Sequence, residues 1–146
     1  MRVEVIEKNG LKFPKGFKGV LKVGFFDGKY PNGEYVASVA FWNEFGTISK
    51  NGNRHIPPRP FMRNVINDNS NMQKIANIAK IEFEKGTEGE AIVGLLGGEL
   101  EKMIKQSIRS GEFTPNSDYT IIKKGSSTPL IDTGFMLGSV SYKVEK

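Results

Sequence analysis

The sequence predicts an α+β fold, in which a small antiparallel sheet packs against two longer α-helices, with short helices and much loop between. Three observations predict it. Segments rich in β-branched and aromatic residues lie towards both ends, at Gly19 to Phe26 and around Val140, Tyr142 and Val144. Two long central stretches, Phe61 to about Glu84 and Glu88 to Ser110, repeat apolar residues three and four apart. The remainder is broken up by many of the 17 glycines and 7 prolines. At 146 residues, the chain amounts to a single domain over 1–146.

Taken in order, residues 2–7 alternate polar and apolar, with Val3 and Val5 on one face, and predict a short strand. Asn9 to Gly19 holds three glycines, Pro14 and Lys12, Lys15 and Lys18, a composition suited to a mobile loop. Gly19 to Phe26 predicts a second strand, followed by turn signals at Asp27-Gly28 and Asn32-Gly33. Glu34 to Phe45 is rich in strand-forming residues, yet Val36, Val39, Ala40 and Trp42 follow helical spacing. A short helix is therefore expected, capped by Asn32 and ended by a left-handed Gly46. Ile48 to Pro60 reads as turns, and Pro60 suits the first turn of the next helix.

That helix, Phe61 to about Glu84, has its stripe at Met72, Ile75, Ala76, Ala79 and Phe83. The polar run Asn67 to Asn71 is expected to kink or break it. Thr87 and Glu90 have capping-box spacing ahead of the second long helix, which should stop at Gly111. Its stripe is Ile92, Leu96, Leu100, Met103, Ile104 and Ile108. Gly94 and Gly98 lie one turn apart and each lowers helix propensity by about 1 kcal/mol, so a close helix or subunit contact is expected there. Helical turns follow near Ser117 to Lys123 and Thr133 to Leu137, then a terminal strand with Val140, Tyr142 and Val144 on one face.

Composition restricts the function. The longest apolar stretches are a few residues, far short of the ~18 of a membrane span, and the alternating N-terminus is unlike a signal peptide. Cysteine is absent, which removes disulfide and thiolate chemistry. The net charge of +5 lies in residues 1–60, where ten Lys and Arg face five Asp and Glu; residues 61–146 carry eleven of each sign. Such a region could meet nucleic acid or an acidic surface. Its lysines are spaced and not clustered, which favours a solvated strand-and-loop region.

Candidate chemistry is sparse. With His55 the single histidine and no cysteine, one chain cannot assemble the usual zinc site. No Gly-x-Ser-x-Gly elbow, phosphate-cradling loop or dinucleotide fingerprint occurs. Asp68 to Asn71 resembles a calcium loop only faintly, because its twelfth position is Ala79 where a bidentate glutamate is needed. Asp132-Thr133-Gly134 is one triplet, whereas an aspartic protease needs two carboxylates sharing a proton. Glu99 and Glu101 project on different sides of a charged helix and read as solvated. The expectation is a protein that is not an enzyme and binds no metal or cofactor.

Three compact segments stand out at element boundaries. The first is Asn43-Glu44-Phe45-Gly46-Thr47. The second is Ile56 to Arg63, containing Pro57, Arg59, Pro60, Phe61 and Arg63. The third runs from Lys124 and Gly125 through Pro129 and Leu130 to Asp132, Thr133 and Gly134. A glutamate before a helix-ending glycine can take a loop arginine, so Glu44 paired with Arg59 or Arg63 is a reasonable clamp. Pro-Arg-Pro-Phe would set the start of a helix and plug an aromatic ring into the core. Asp132 or Thr133 would cap a helical turn.

In this order and at these separations, the segments resemble phage and prophage neck or tail-completion proteins, the head–tail connector and virion-morphogenesis families. The resemblance covers roughly residues 20–145, including Lys22-Val23-Gly24-Phe25-Phe26. It implies an α+β subunit forming a homo-oligomeric ring, often a hexamer, at the tail end or head–tail junction. Tail-tube, tail-terminator, neck or portal-side proteins would be its partners, with no membrane involved. It also implies a place in the virion after synthesis in the host cytoplasm, and no catalytic residues to carry over. The shared residues would then serve folding and subunit contacts. The alternative is a basic nucleic-acid-binding module. A ring with a basic lumen, touching passing DNA non-specifically, would reconcile the two.

Overall fold

The structure, a computed structural model, describes residues 19–125, 128–131 and 134–146. The strand expected over residues 2–7 and the loop over residues 9–18 lie outside the described residues. In chain order the elements are β1 (Val20–Phe25), α1 (Val36–Phe45), β2 (Thr47–Ile48), β3 (Arg54–Ile56), α2 (Phe61–Asn67), α3 (Asn69–Glu84), α4 (Gly89–Ser110), α5 (Asp118–Lys124), α6 (Phe135–Gly138) and β4 (Val140–Glu145). Small antiparallel strand pairs packed with helices make this the expected α+β architecture.

β1 and β4 pair antiparallel, from Val20 opposite Glu145 to Phe25 opposite Val140. Opposed residues share a sheet face. Leu21, Val23 and Phe25 therefore lie on the same side as Val144, Tyr142 and Val140, and this is the side that meets α4. The other side opposes Lys22 to Lys143, a like-charge pair that would be destabilising alone. Each lysine is neutralised: Lys22 pairs with Glu145 at 2.6 Å, and Lys143 pairs with Asp27 at 3.1 Å while lying over the Phe26 ring.

α4 is the axis of the core. It packs on β1, β4, α2 and α3, burying Ile92, Val93, Leu96, Leu100, Met103, Ile104 and Ile108. Those positions are the expected stripe widened by Val93, and Gly111 ends the helix at φ 65° as expected. Within the chain, the tightest approach falls beside Gly94 and Gly98 and not at them. Their added Cβ atoms would sit 3.9 and 4.0 Å from Tyr142, ordinary contact distance. At Gly97 between them, a Cβ would collide with the Tyr142 ring and lie 2.9 Å from Leu21. An aromatic ring from the last strand, and not a backbone, fills the space at the residue between the two glycines.

The polar run after α2 is a full break. Asp68 is extended at ψ 113° and caps α3, its carboxylate accepting from Ser70 N (2.8 Å) and Asn71 N (3.2 Å). α3 leans on α4 through Met72, Ile75, Ile78 and Ala79, while Phe83 in its last turn is exposed, contrary to the predicted stripe. The capping box does not form. Glu88 precedes α4 without a side-chain cap, because the Thr87 hydroxyl donates back to Glu82 (2.9 Å) and closes the α3–α4 turn. Asn32 likewise does not cap α1: it binds Glu34, and α1 starts after Tyr35. Glu99 is not simply solvated. It bridges α4 to Lys74 of α3, with Lys102 nearby. The supposed loop Ile48 to Pro60 contains the β2–β3 ribbon, whose two- and three-residue strands are too short to show alternation.

Gly97→Ala should destabilise the fold by about 1–3 kcal/mol through overpacking against Tyr142. Gly94→Ala and Gly98→Ala should be neutral or stabilising by up to about 1 kcal/mol. Urea denaturation of the three variants measures the contrast.

The hydrogen bond from Lys74 holds the Glu99 carboxyl below its ordinary value of 4.5, with Lys102 assisting. A depressed folded-state value gives stability that is present above the unfolded value and is lost as pH falls. Because Lys74 is largely exposed, Lys74→Met should cost only about 0.2–1 kcal/mol at neutral pH. That gap should close as pH drops below 4.5, as followed by thermal melts across an acid series.

Candidate functional site

Local chemistry begins where α1 ends. α1 is apolar around much of its circumference, and its buried stripe is Val36, Ala40 and Glu44, each one turn apart. A carboxylate thus occupies the third core position, with Glu44 only 2% exposed. A buried charge needs partners. Glu44 finds them across the chain reversal: Oε2 accepts from Met62 N (2.9 Å), and Oε1 accepts from Arg63 N (3.1 Å) and Arg63 Nε (2.9 Å).

These amides are in the first turn of α2, where N–H groups have no intrahelical acceptor. Pro60, the residue before the helix, supplies no side-chain cap, so Glu44 caps α2 from outside it. Pro60 was expected inside the first turn but stands just ahead of it. The exchange is reciprocal. Arg63 Nη2 donates to the Glu44 carbonyl (2.8 Å), and Arg59 N donates to the Asn43 carbonyl (2.7 Å), both at the carbonyl-rich end of α1. One polar knot thereby closes the C-terminus of one helix and the N-terminus of the next.

Gly46 makes the geometry feasible. It is at φ 75°, and a Cβ there would lie 2.7 Å from the Ile56 carbonyl and 2.9 Å from Pro58 N. Its ψ of 174° takes it out of the helical left-handed conformation expected of a helix-ending glycine, into a region open essentially to glycine alone. Phe61 is fully buried and meets Phe25 edge-on at 6.1 Å, the aromatic plug expected of the Pro-Arg-Pro-Phe segment. Phe45 stays half exposed, with the Arg63 guanidinium 4.6 Å over its ring.

Of the two candidate clamps for Glu44, the structure forms the Arg63 pair. Arg59, 6% exposed, is held otherwise. Its Nε donates to Thr114 O (2.9 Å), Nη1 to Asn43 Oδ1 (3.1 Å), and Nη2 to Asn116 Oδ1 (3.2 Å) and Pro115 O (3.4 Å). Burial lowers its pKa from the ordinary arginine value. A planar fork reaching four neutral acceptors is a task for arginine and not lysine.

Asn116, which sequence reasoning passes over, then joins the third segment. Its Nδ2 donates to Thr128 O at 3.4 Å. Asn43, also unmarked as a site residue, holds Arg59 through both carbonyl and side chain. Asn43 stands at the edge of the first segment and Asn116 in none; only the fold brings residue 43 near residue 116. In the third segment Pro129 and Leu130 are buried, Leu130 at the positive φ of 65°, a conformation costing roughly 1–2 kcal/mol. Gly125 and Gly134 end α5 and precede α6 in left-handed conformations. Ser126, Ser127, Asp132 and Thr133 lie outside the described residues, so the expected Asp132 or Thr133 cap does too.

Beside the knot, β1 and α1 flank an apolar groove of about 580 Å³, lined by Val23, Phe25, Phe26, Phe41, Phe45 and Met62 among others. Phe41 is 58% exposed, Trp42, Phe45 and Tyr35 are also exposed, and Ile48 is 72% exposed. His55 is exposed on β3. Among the described residues no three His, Asp or Glu side chains gather to hold a metal. Comparison with protein-family models, curated proteins and solved structures gives no match to this chain.

Glu44→Ala should cost roughly 2–4 kcal/mol, because two helix-start amides and a guanidinium lose their acceptor in a buried place. Glu44→Gln, which keeps one acceptor oxygen but no charge, should cost less. Chemical denaturation of both variants checks the order.

Proposed function

We propose that the protein is a phage or prophage structural protein that assembles into a ring at the tail end or head–tail junction, where it completes the tail or joins it to the head. One observation carries the reading. The three segments resembling neck and tail-completion proteins meet in one corner of the fold: Arg63 binds Glu44, and next to it Asn43 binds Arg59, which reaches Asn116 and through it the Thr128 carbonyl. A resemblance made of residues that cooperate physically is weightier than three separate matches. On this reading the buried members, Glu44, Arg59, Phe61 and Leu130, preserve subunit shape, while neighbours meet exposed side chains around them.

The exposed aromatic surface of α1 supports an assembling protein, since large contiguous apolar patches mark interaction sites. The ring would be a virion component of tail or neck, with tail-tube, tail-terminator or portal-side proteins as partners and no cofactor or catalysis in its role. Nucleic-acid binding is the second reading, favoured by the pI of about 9.4. It is weakened by the pairing of Lys22, Lys74, Lys85, Lys105, Lys143 and Lys146 with carboxylates.

Size-exclusion chromatography with light scattering should give a discrete multiple of 16.2 kDa at high concentration. Phe41→Asp should lower that population with an unchanged melting temperature, because Phe41 is more than half exposed. A strictly monomeric chain that also binds no tail or neck component would defeat the reading. Duplex DNA binding that falls steeply with salt, without self-association, would favour the second.

A further inference from the structure

Two exposed turns of this chain carry the same Asn-Gly pair in the same backbone geometry, and their side chains are held differently. In the first, Gly33 N donates to Tyr30 O (2.8 Å), Tyr30 N donates to Glu34 O (2.8 Å), and Gly33 is at φ 87°. In the second, Gly52 N donates to Ser49 O (2.9 Å), Ser49 N donates to Asn53 O (2.8 Å), and Gly52 is at φ 83°. We infer that Asn51 is a site of self-modification: its side chain cyclises onto the Gly52 amide and loses ammonia, while Asn32 in the matching turn is protected. This holds whether or not the chain forms a ring.

The step is intramolecular. The Gly52 amide nitrogen gives its proton to hydroxide and forms a bond to Asn51 Cγ. The Cγ–Nδ2 bond breaks, and ammonia leaves with a proton from water. Water then opens the resulting cyclic imide at one of its two C–N bonds. Opening at Cγ leaves aspartate. Opening at the main-chain carbonyl carbon leaves isoaspartate, whose backbone runs through Cβ and Cγ and is one carbon longer. Proximity replaces a bimolecular encounter, and glycine has no side chain to obstruct the ring closure. A Cβ on either glycine would meet nothing within 4 Å, so space does not distinguish the two turns.

Side-chain restraint does distinguish them. Asn32 is tied at both ends of its carboxamide: Nδ2 donates to Glu34 Oε2 (3.0 Å), and Oδ1 accepts from Glu34 N (3.1 Å). Cyclisation there must break the bond to the leaving nitrogen and develop negative charge beside a carboxylate. Asn51 Oδ1 instead accepts from the Ser49 hydroxyl, whose other acceptor is Asn53 O (3.0 Å). That donor is aimed at the oxygen on which negative charge develops as Gly52 attacks, and it stabilises the tetrahedral intermediate.

Backbone restraint acts in the same direction, because the glycine amide must leave its carbonyl before it can attack. In the first turn Pro31 fixes φ, the Tyr30 ring packs 5.1 Å from that of Phe135, and Lys29 and Tyr35 bridge behind it. The second turn closes β2 and β3, strands of two and three residues with a register shift between Thr47 and Ile48. So short a ribbon opens at little cost. Conversion of Asn51 adds one negative charge next to Lys50, taking the formal net charge from +5 to +4. Isoaspartate also lengthens the turn of the ribbon that folds back over Gly46.

The test is a time course of the full-length protein at mildly alkaline pH, followed by trypsin. Cleavage after Lys29, Lys50 and Arg54 puts Asn32 in peptide 30–50 and Asn51 in peptide 51–54, where fragmentation separates it from Asn53. Mass spectrometry should show the gain of about one dalton that marks conversion of an amide to an acid. Enzymatic methylation of isoaspartate confirms the product. Asn51 should convert at least about tenfold faster than Asn32 in the folded protein, and the two rates should converge in urea. Ser49→Ala should slow Asn51 by about 2–10-fold, the worth of one hydrogen bond at the reacting oxygen, and Glu34→Ala should speed Asn32. Equal rates in the folded protein, a faster Asn32, or an Asn51 that converts only after unfolding would overturn the inference. An unchanged Asn51 rate in Ser49→Ala would overturn the part given to the hydroxyl.

Discussion

The carboxylate of Glu44 sits where a core side chain would be expected and binds two amides and a guanidinium of a helix that starts seventeen residues later in the sequence, at Phe61. Much of the surrounding architecture follows from that placement. A buried acid beyond reach of these donors would face a desolvation cost of several kcal/mol, so α1 and α2 can adopt only an arrangement that brings their ends together. The β2–β3 ribbon and the proline-rich turn after it must then fold back over Gly46, whose missing side chain leaves space for the Ile56 carbonyl. Arg59 is drawn into the same corner and extends the network to Asn116 and Thr128, tying the chain after α4 to the chain before α2.

A second constraint organises the opposite side of the molecule. The last strand carries Tyr142 onto the turn of α4 that contains Gly97, and β4 in turn completes a ladder with β1. The two ends of the described chain thus meet over one helix, and the contact tolerates no Cβ at that residue. Both constraints turn side chains inward and leave α1 with aromatic residues on its outside. An assembling subunit needs this division between side chains committed to shape and side chains left for neighbours.

Charge follows the same division. In the described residues most lysines face carboxylates across the sheet, along α3 and α4, or between them. The excess of Lys and Arg in the first 18 residues is five against two Glu, or +3 of the total +5.

Periodicity made the helices legible: the stripe of α4, the stop at Gly111 and the interruption near Asp68 are local properties of spacing, backbone freedom and side-chain capping, and they need no partner. The α+β class and the terminal strand were legible for the same reason. The Glu44 clamp was visible as two options, because an acid and two arginines advertise attraction without stating distance. What the tertiary structure decided was every competition among partners. Arg63 took the carboxylate because it lies in the helix that Glu44 caps, whereas Arg59 points to the carbonyls of Thr114 and Pro115. Thr87 turned back to Glu82, and Gly97 rather than its neighbours received an aromatic ring. Sequence determines which groups can bind; which of them do is set by distances that only the folded chain defines.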